Sequence, residues 1–223
     1  MRNPVAIDKV LDPVSRTAAL AVLEQVYLQE KRWIRDVESE IPTVFDELAP
    51  RSWYVATIGG EPAGAIRLAY DPDLALPADY GVTLEPGIDL DRLRAAGRFV
   101  DIGRFMIVPR HRRNVRIALQ LMQAAIAEVV ERGYTHFLTD VFESDPHSPL
   151  GFHTRVLGFE RIGTHRRGEL ACESVRVLLI LDIARAYRRL KVRGNRIFRQ
   201  VASGLDEARL APAPSGSEAC VVG

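Results

Sequence analysis

Carboxylates and histidines that could move protons fall in two places. Asp140 lies on a strand-like stretch, Thr135 to Phe142, and Glu143 follows it directly; His147 stands in the polar loop beyond, and His153 in a short helical stretch after that. Histidine titrates near neutrality, so His147 and His153 could relay protons, and Asp140 or Glu143 could accept one. The second place is the strand Phe99 to Val108. Alternation there puts Asp101 on one face with Phe99, Gly103 and Phe105, unless a bulge shifts the register. Asp101 has a second use open to it, a buried ion pair with Arg104 or Arg98. His136 and His165 show no metal-ligand spacing, and there is no zinc, iron or calcium pattern, no Ser/His/Asp elbow and no dinucleotide fingerprint. The chemistry that remains is proton transfer without a metal or tightly bound cofactor.

Two basic runs stand beside these groups. Arg110, His111, Arg112, Arg113 and Arg116 form one; the other extends from Arg185 through Arg188, Arg189, Lys191, Arg193 and Arg196 to Arg199. Each is either a solvated surface or a contact for phosphate or an acidic partner. The second run is also amphipathic, with Ile183, Tyr187, Leu190, Ile197, Val201 and Leu205 apolar, so residues 183–205 could lie on a membrane surface.

The elements that must position these groups follow from periodicity. Ser15 can cap a first helix carrying Ala19, Val22, Leu23, Val26 and Tyr27 on one face. Trp53 to Ile58 and Ala63 to Tyr70 read as a hairpin around Gly59-Gly60-Glu61-Pro62. Residues 71–98, with Pro72, Pro77 and Pro86, form a long connection of the kind that serves as lid or binding segment, with a short helix from Leu90 to Ala95 ended by Gly97. The strongest helix carries Val115, Leu119, Met122, Ile126 and Val129 and stops at Gly133. Strands follow around 160–168 and from Ser174 to Asp182. Two helices broken at Gly194-Asn195 come next, and residues 211–223 have the composition of a disordered tail. The expected organisation is a domain over 1–182, a basic helical extension over 183–210 and the tail.

Composition narrows the class. The 223 residues carry a net charge of only +1, which argues against a general nucleic-acid binder. No apolar run approaches the roughly 20 residues that span a bilayer. Cys172 and Cys220 are too few for a disulfide framework, so a cytoplasmic setting is the default.

Three features carry a family resemblance: the hairpin Tyr54 to Leu68, the segment Phe105-Met-Ile-Val-Pro-Arg-His-Arg-Arg113 running into the long helix, and Phe152-His-Thr-Arg-Val-Leu-Gly-Phe159. In this order they resemble the GCN5-related N-acetyltransferase (GNAT) superfamily over roughly residues 15–182. The resemblance implies an α/β (α+β) fold with a mixed, mostly antiparallel central sheet flanked by helices, here with a C-terminal helical extension. It implies a donor site formed by Phe105, Met106, Ile107, Val108, Arg112, Arg113, Asn114, Val115 and Arg116, where free strand amides hold pantetheine and the helix N-terminus holds phosphate. Gly103 fits a strand bulge or a close backbone approach, or else relieves packing.

The phosphate loop of that superfamily is glycine-rich, whereas Arg112-Arg-Asn-Val115-Arg-Ile117 has Val and Ile where small residues stand, and Thr154 occupies the place of a tyrosine general acid. With Asp101-Ile-Gly-Arg104 as an acidic-x-x-Arg motif, these departures resemble the bacterial N-acyl amino acid synthases and acyl-homoserine lactone synthases. That branch implies Asp101 as base beside Arg104, acyl carrier protein (ACP) as donor and partner, and a small amine acceptor. Direct attack on the thioester would leave no enzyme adduct. Glu143 and Asp140 remain rival bases. Two other readings stay open: an acetyl-CoA-dependent N-acetyltransferase using acyl-CoA as co-substrate, and a non-catalytic acyl- or partner-binding protein.

Overall fold

The computed structural model describes residues 4–210, except 75, 77, 146, 147, 173, 195 and 203. His147 and the tail 211–223 therefore lie outside the described residues. The strands are β1 Val5–Lys9, β2 Arg51–Ile58, β3 Glu61–Tyr70, β4 Thr83–Leu84, β5 Phe99–Ile107, β6 His136–Phe142, β7 Glu160–His165 and β8 Arg176–Asp182. The helices are α1 Pro13–Leu23, α2 Leu90–Ala96, α3 Val115–Glu131, α4 Ile183–Val192 and α5 Arg196–Val201, with π-helical turns at Glu24–Glu30 and Phe152–Leu157. One sheet runs β1-β2-β3-β5-β6-β8-β7-β4. Its pairs are antiparallel except β5 with β6. This is the GNAT arrangement expected from the sequence.

Local chemistry explains most boundaries. Gly59 and Gly60, at φ 60° and 84°, close the β2–β3 hairpin in a conformation that glycine adopts without strain. The α1 cap differs from the expectation. Asp12, not Ser15, accepts the Val14 and Ser15 amides, because Pro13 already starts the helix one position after it. Strand β1 was not apparent in the sequence; it pairs along β2 at the sheet edge.

The sheet is covered on both faces. On one face, α3 lays Ile117, Leu121, Ala125 and Val129 against Ile66, Leu68 and Val100. Gly64 lets it close in, since a Cβ there would come 3.1 Å from Ile117 Cγ2 and 2.8 Å from the Met106 carbonyl oxygen. The apolar stripe expected on α3 is thus rotated. Val115 is 60% exposed, while Met122 and Ile126 look sideways towards α4 and α5. Ile183, Ala186 and Leu190 of α4 are buried, while its outward side is mostly basic and ends on exposed Val192.

On the other face, α1 packs over Trp53, Val55, Ala65 and Met106. The 71–98 connection supplies Leu74, Leu90 and Leu93 over Phe99, Leu138 and Leu178. Among the described residues, no helix is long and apolar enough to cross a membrane.

Candidate active site

β5 and β6 run together only from Phe99 to Asp101 and from His136 to Leu138. The last link is Thr139 Oγ1, which donates to the Ile102 carbonyl at 2.8 Å. Beyond it the strands part and open a cleft of about 880 Å³, with Gly103 to Ile107 on one side and Asp140 and Phe142 on the other. The β5 edge facing this gap has no strand partner among the described residues, so its amides and carbonyls can serve an extended ligand.

A bulge shapes the same edge. Ala65 pairs with Met106 but Arg67 with Gly103, so Arg104 and Phe105 together face Ile66, and Arg104 takes φ 50°. The extra residue corrects the simple alternation. Arg104 joins Asp101 and Gly103 on one face, and Phe105 turns to the other, against Ile66 and Val100. Gly103 serves a close approach, because a Cβ there would lie 2.8 Å from Arg67 Nη2.

Charged groups fill the Asp101 face. Arg67 donates to Asp101 at 3.2 Å and to Glu169 at 2.9 Å. Arg104 grips Glu40 with two hydrogen bonds, at 3.0 and 3.2 Å, and meets Glu169 at 3.1 Å. The ion pair of Asp101 is therefore with Arg67, and not with Arg104 or Arg98; Arg98 lies over the Tyr134 ring and 3.5 Å from Asp71. Pairing across the sheet won over proximity in sequence, because Arg67 and Gly103 are opposite one another.

These carboxylates are set apart in acidity. Burial pushes Asp101 up to about 6, reinforced by the charges of Asp140 and Glu169 and only partly countered by Arg67. Burial also works against ionised Asp140, but His165 at 3.1 Å and Arg176 at 3.4 Å outweigh it and hold that carboxyl below its usual range. Burial of Glu169 is likewise outweighed by Arg67 and Arg104. Separated acidities within one cleft are the pattern that divides acid–base roles.

The remaining predicted residues are distributed as follows. His153 lines the cleft. Its Nδ1 donates to the Pro149 carbonyl at 2.9 Å, and burial lowers its pKa, so the neutral ring keeps an acceptor at Nε2. Thr154 Oγ1 donates to the Leu150 carbonyl at 2.8 Å, and the residue does not line the cleft. Glu143 also lies off the cleft lining, 3.3 Å from Arg161.

In the donor segment, Phe105, Met106, Ile107 and Arg112 line the cleft, while Val108 is fully buried in the core beneath α1. Arg112 is ion-paired with Glu30, and Arg113 and Arg116 are exposed. Asn114 at the start of α3 makes no side-chain cap, so its side chain satisfies none of the first-turn amides. Of the two apolar residues in this loop, Ile117 points into the core and Val115 alone stands at the helix entrance.

Arg67, Glu169, Glu40 and Arg176 were missed in the sequence. A charged residue within the apolar run Ala63 to Tyr70 was the available signal for Arg67. Glu40 and Glu169 sit in irregular segments that carry none.

A family model for the N-acyl amino acid synthase FeeM matches residues 18–182. The chain belongs to this family. It is thus an acyltransferase of the GNAT superfamily, and the family match ends where α4 begins. Among curated proteins, none matches the sequence significantly. Among solved structures, FeeM, an N-acyl amino acid synthase from uncultured soil microbes, is similar with a TM-score of 0.62 at 14% identity, over 83% of this chain and 94% of that one. The ribosomal-protein-S18-alanine N-acetyltransferase from Escherichia coli gives 0.52 at 13%, over 81% and 94%. The aminoglycoside 6'-N-acetyltransferase from Enterococcus faecium gives 0.51 at 14%, over 81% and 97%. These distant likenesses agree on the fold.

Proposed function

We propose that the protein transfers a medium or long acyl chain from an acyl thioester, with acyl carrier protein as the preferred donor, to the amine of a small amino-acid-like acceptor. The observation that carries this reading is the parted β5–β6 cleft with Asp101, at about 6, where the strands separate. A base of that acidity is ionised at neutral pH yet can hold a proton transiently. The thioester would lie along the β5 edge. Asp101, directly or through a water, takes the proton of the attacking ammonium; the amine nitrogen then bonds to the carbonyl carbon. The developing oxyanion is met by strand amides. Collapse breaks the carbon–sulfur bond; the extra proton on the new carbon–nitrogen centre goes to the leaving thiolate, and Asp101 gives up the proton it took to solvent.

The donor preference rests on the start of α3. Val115 occupies the entrance where a diphosphate would need to approach the backbone, whereas one phosphodiester needs less room. Arg110, Arg112, Arg113 and Arg116 surround that entrance and suit a small acidic carrier protein. Any membrane contact through 183–205 would rest mainly on charge, since Ile183, Ala186 and Leu190 of α4 are already buried.

Incubation with dodecanoyl-ACP and a mixture of amino acids, followed by mass spectrometry, tests the proposal. An N-acyl amino acid formed only with active protein is expected. Binding of the thioester with no amide product would instead assign a non-catalytic role.

A further inference from the structure

Ile102, Phe105 and His153 form a wall with the cleft on one side and a second, smaller cavity of about 90 Å³ on the other. Among the described residues, all that line that cavity apart from His153 and Tyr187 are apolar. Met122 and Ile126 of α3 border it, and its roof is made by α4 and α5 with the residues that follow them. The bulge sets one of the shared wall residues. By turning Phe105 away from the Asp101 face it puts that ring at the cavity wall, beside the edge where a thioester would lie.

The roof lies outside the matched family segment, which stops at residue 182. Tyr187 and Phe198 meet edge to face, with centroids 5.0 Å apart, on either side of the Gly194 break, where φ is 59°. Ala202 and Leu205 continue the lining beyond α5. An apolar lining of this kind favours hydrocarbon over water. Its volume is about a tenth of the cleft's, so the roof limits how much chain can enter.

We propose that the C-terminal segment, α4 through Leu205, is an acyl-chain gauge. The distal end of the acyl chain passes Phe105 into the apolar cavity, and Phe198, Ala202 and Leu205 set the length accepted. This rests on reading the cleft as the thioester site. The shared wall with the reactive cleft, at Ile102, Phe105 and His153, is what points to a ligand's use of the cavity.

The test compares the parent enzyme with Phe198→Ala and Ala202→Phe across ACP thioesters from butanoyl to hexadecanoyl. Phe198→Ala should move the optimum to longer chains and Ala202→Phe to shorter ones. Each methylene that no longer fits should lower kcat/KM about tenfold or more, mainly through KM. Binding of a fluorescent polyene fatty acid gives a readout independent of turnover. Ala202→Phe should weaken it, and Asp101→Asn should leave it intact. Should Ala202→Phe fail to fold, Phe198→Ala and fatty-acid binding by the parent still decide. One chain-length profile shared by the parent and Phe198→Ala overturns the gauge while leaving the transferase reading in place. Absence of transfer with every donor sinks the transferase reading itself. Absence of fatty-acid binding by the parent overturns the gauge separately.

Discussion

Arg67 reaches across from β3 to Asp101 at 3.2 Å, on the last rung before β5 and β6 separate. The pair thus couples a partly buried carboxylate to the opening of the cleft. One guanidinium cannot fully offset burial together with the charges of Asp140 and Glu169, and Asp101 stays near 6.

Asp101→Asn should lower kcat by at least roughly a hundredfold while leaving donor binding largely unchanged, the scale of a lost general base. The parent's kcat/KM should carry a rising limb with a midpoint near pH 6, absent from the residual activity of the variant. Glu143→Gln, off the cleft lining and paired with exposed Arg161, should change neither rate nor stability appreciably. Steady-state kinetics over a pH series distinguishes these outcomes.

The same carboxyl predicts a pH effect on stability. Its folded pKa lies above the ordinary value of 3.8, so between about pH 4 and 6 the native state holds more protons than the unfolded chain. Asp101 therefore makes the protein less stable as pH rises through that window. Denaturant melts should show the parent losing stability relative to Asp101→Asn from pH 4 to 6, with no further divergence above. A parent that gains on the variant as pH rises would contradict the raised acidity constant.

Arg104 is held in left-handed backbone by the bulge and joined to Glu40 and Glu169. Removing one partner of a buried ion pair typically costs about 3–5 kcal/mol. Arg104→Ala should approach that range and lower Tm. Arg104→Gly loses the same ion pairs but relieves the backbone, so it should be more stable than Arg104→Ala by about 1 kcal/mol. Equal stabilities would argue that the bulge carries no strain.

The sequence made visible those elements whose signals are local. The β2–β3 hairpin announced itself by Gly59-Gly60, and α3 by its apolar spacing and the stop at Gly133, which takes φ 72°. Asp101 and the donor segment were marked by resemblance. The partners of Asp101 were not, because Arg67 is brought beside it by strand pairing across 34 positions. Simple alternation would put Phe105 on the Asp101 face; the bulge that could shift the register does so, and nothing in Gly103-Arg104-Phe105 says which residue is extra. Val115 continues the spacing of the α3 stripe, yet at the helix entrance it is left 60% exposed.

Charge at the entrance to α3 should govern the encounter with the carrier protein. The screening length is only about 8 Å at physiological ionic strength, so exposed contacts weaken with salt. The KM for ACP thioesters should rise with salt. Arg112→Ala should raise it further, with a smaller effect on kcat, although loss of the Glu30 pair must be separated by including Glu30→Gln. Arg185→Ala combined with Arg188→Ala, both on the exposed side of α4, should leave the salt dependence in place if the α3 entrance is the docking surface. Kinetics independent of salt in the full-length protein would count against docking by charge.

The most direct test measures thiol release in the presence of an amino-acid mixture, comparing acetyl-CoA, long-chain acyl-CoA and a series of ACP thioesters at matched concentrations. The account predicts that an ACP thioester with a chain well beyond acetyl gives the highest kcat/KM, and that release depends on the amine. Acetyl-CoA turning over as fast as any ACP thioester, or no amine-dependent release from any donor, would contradict it.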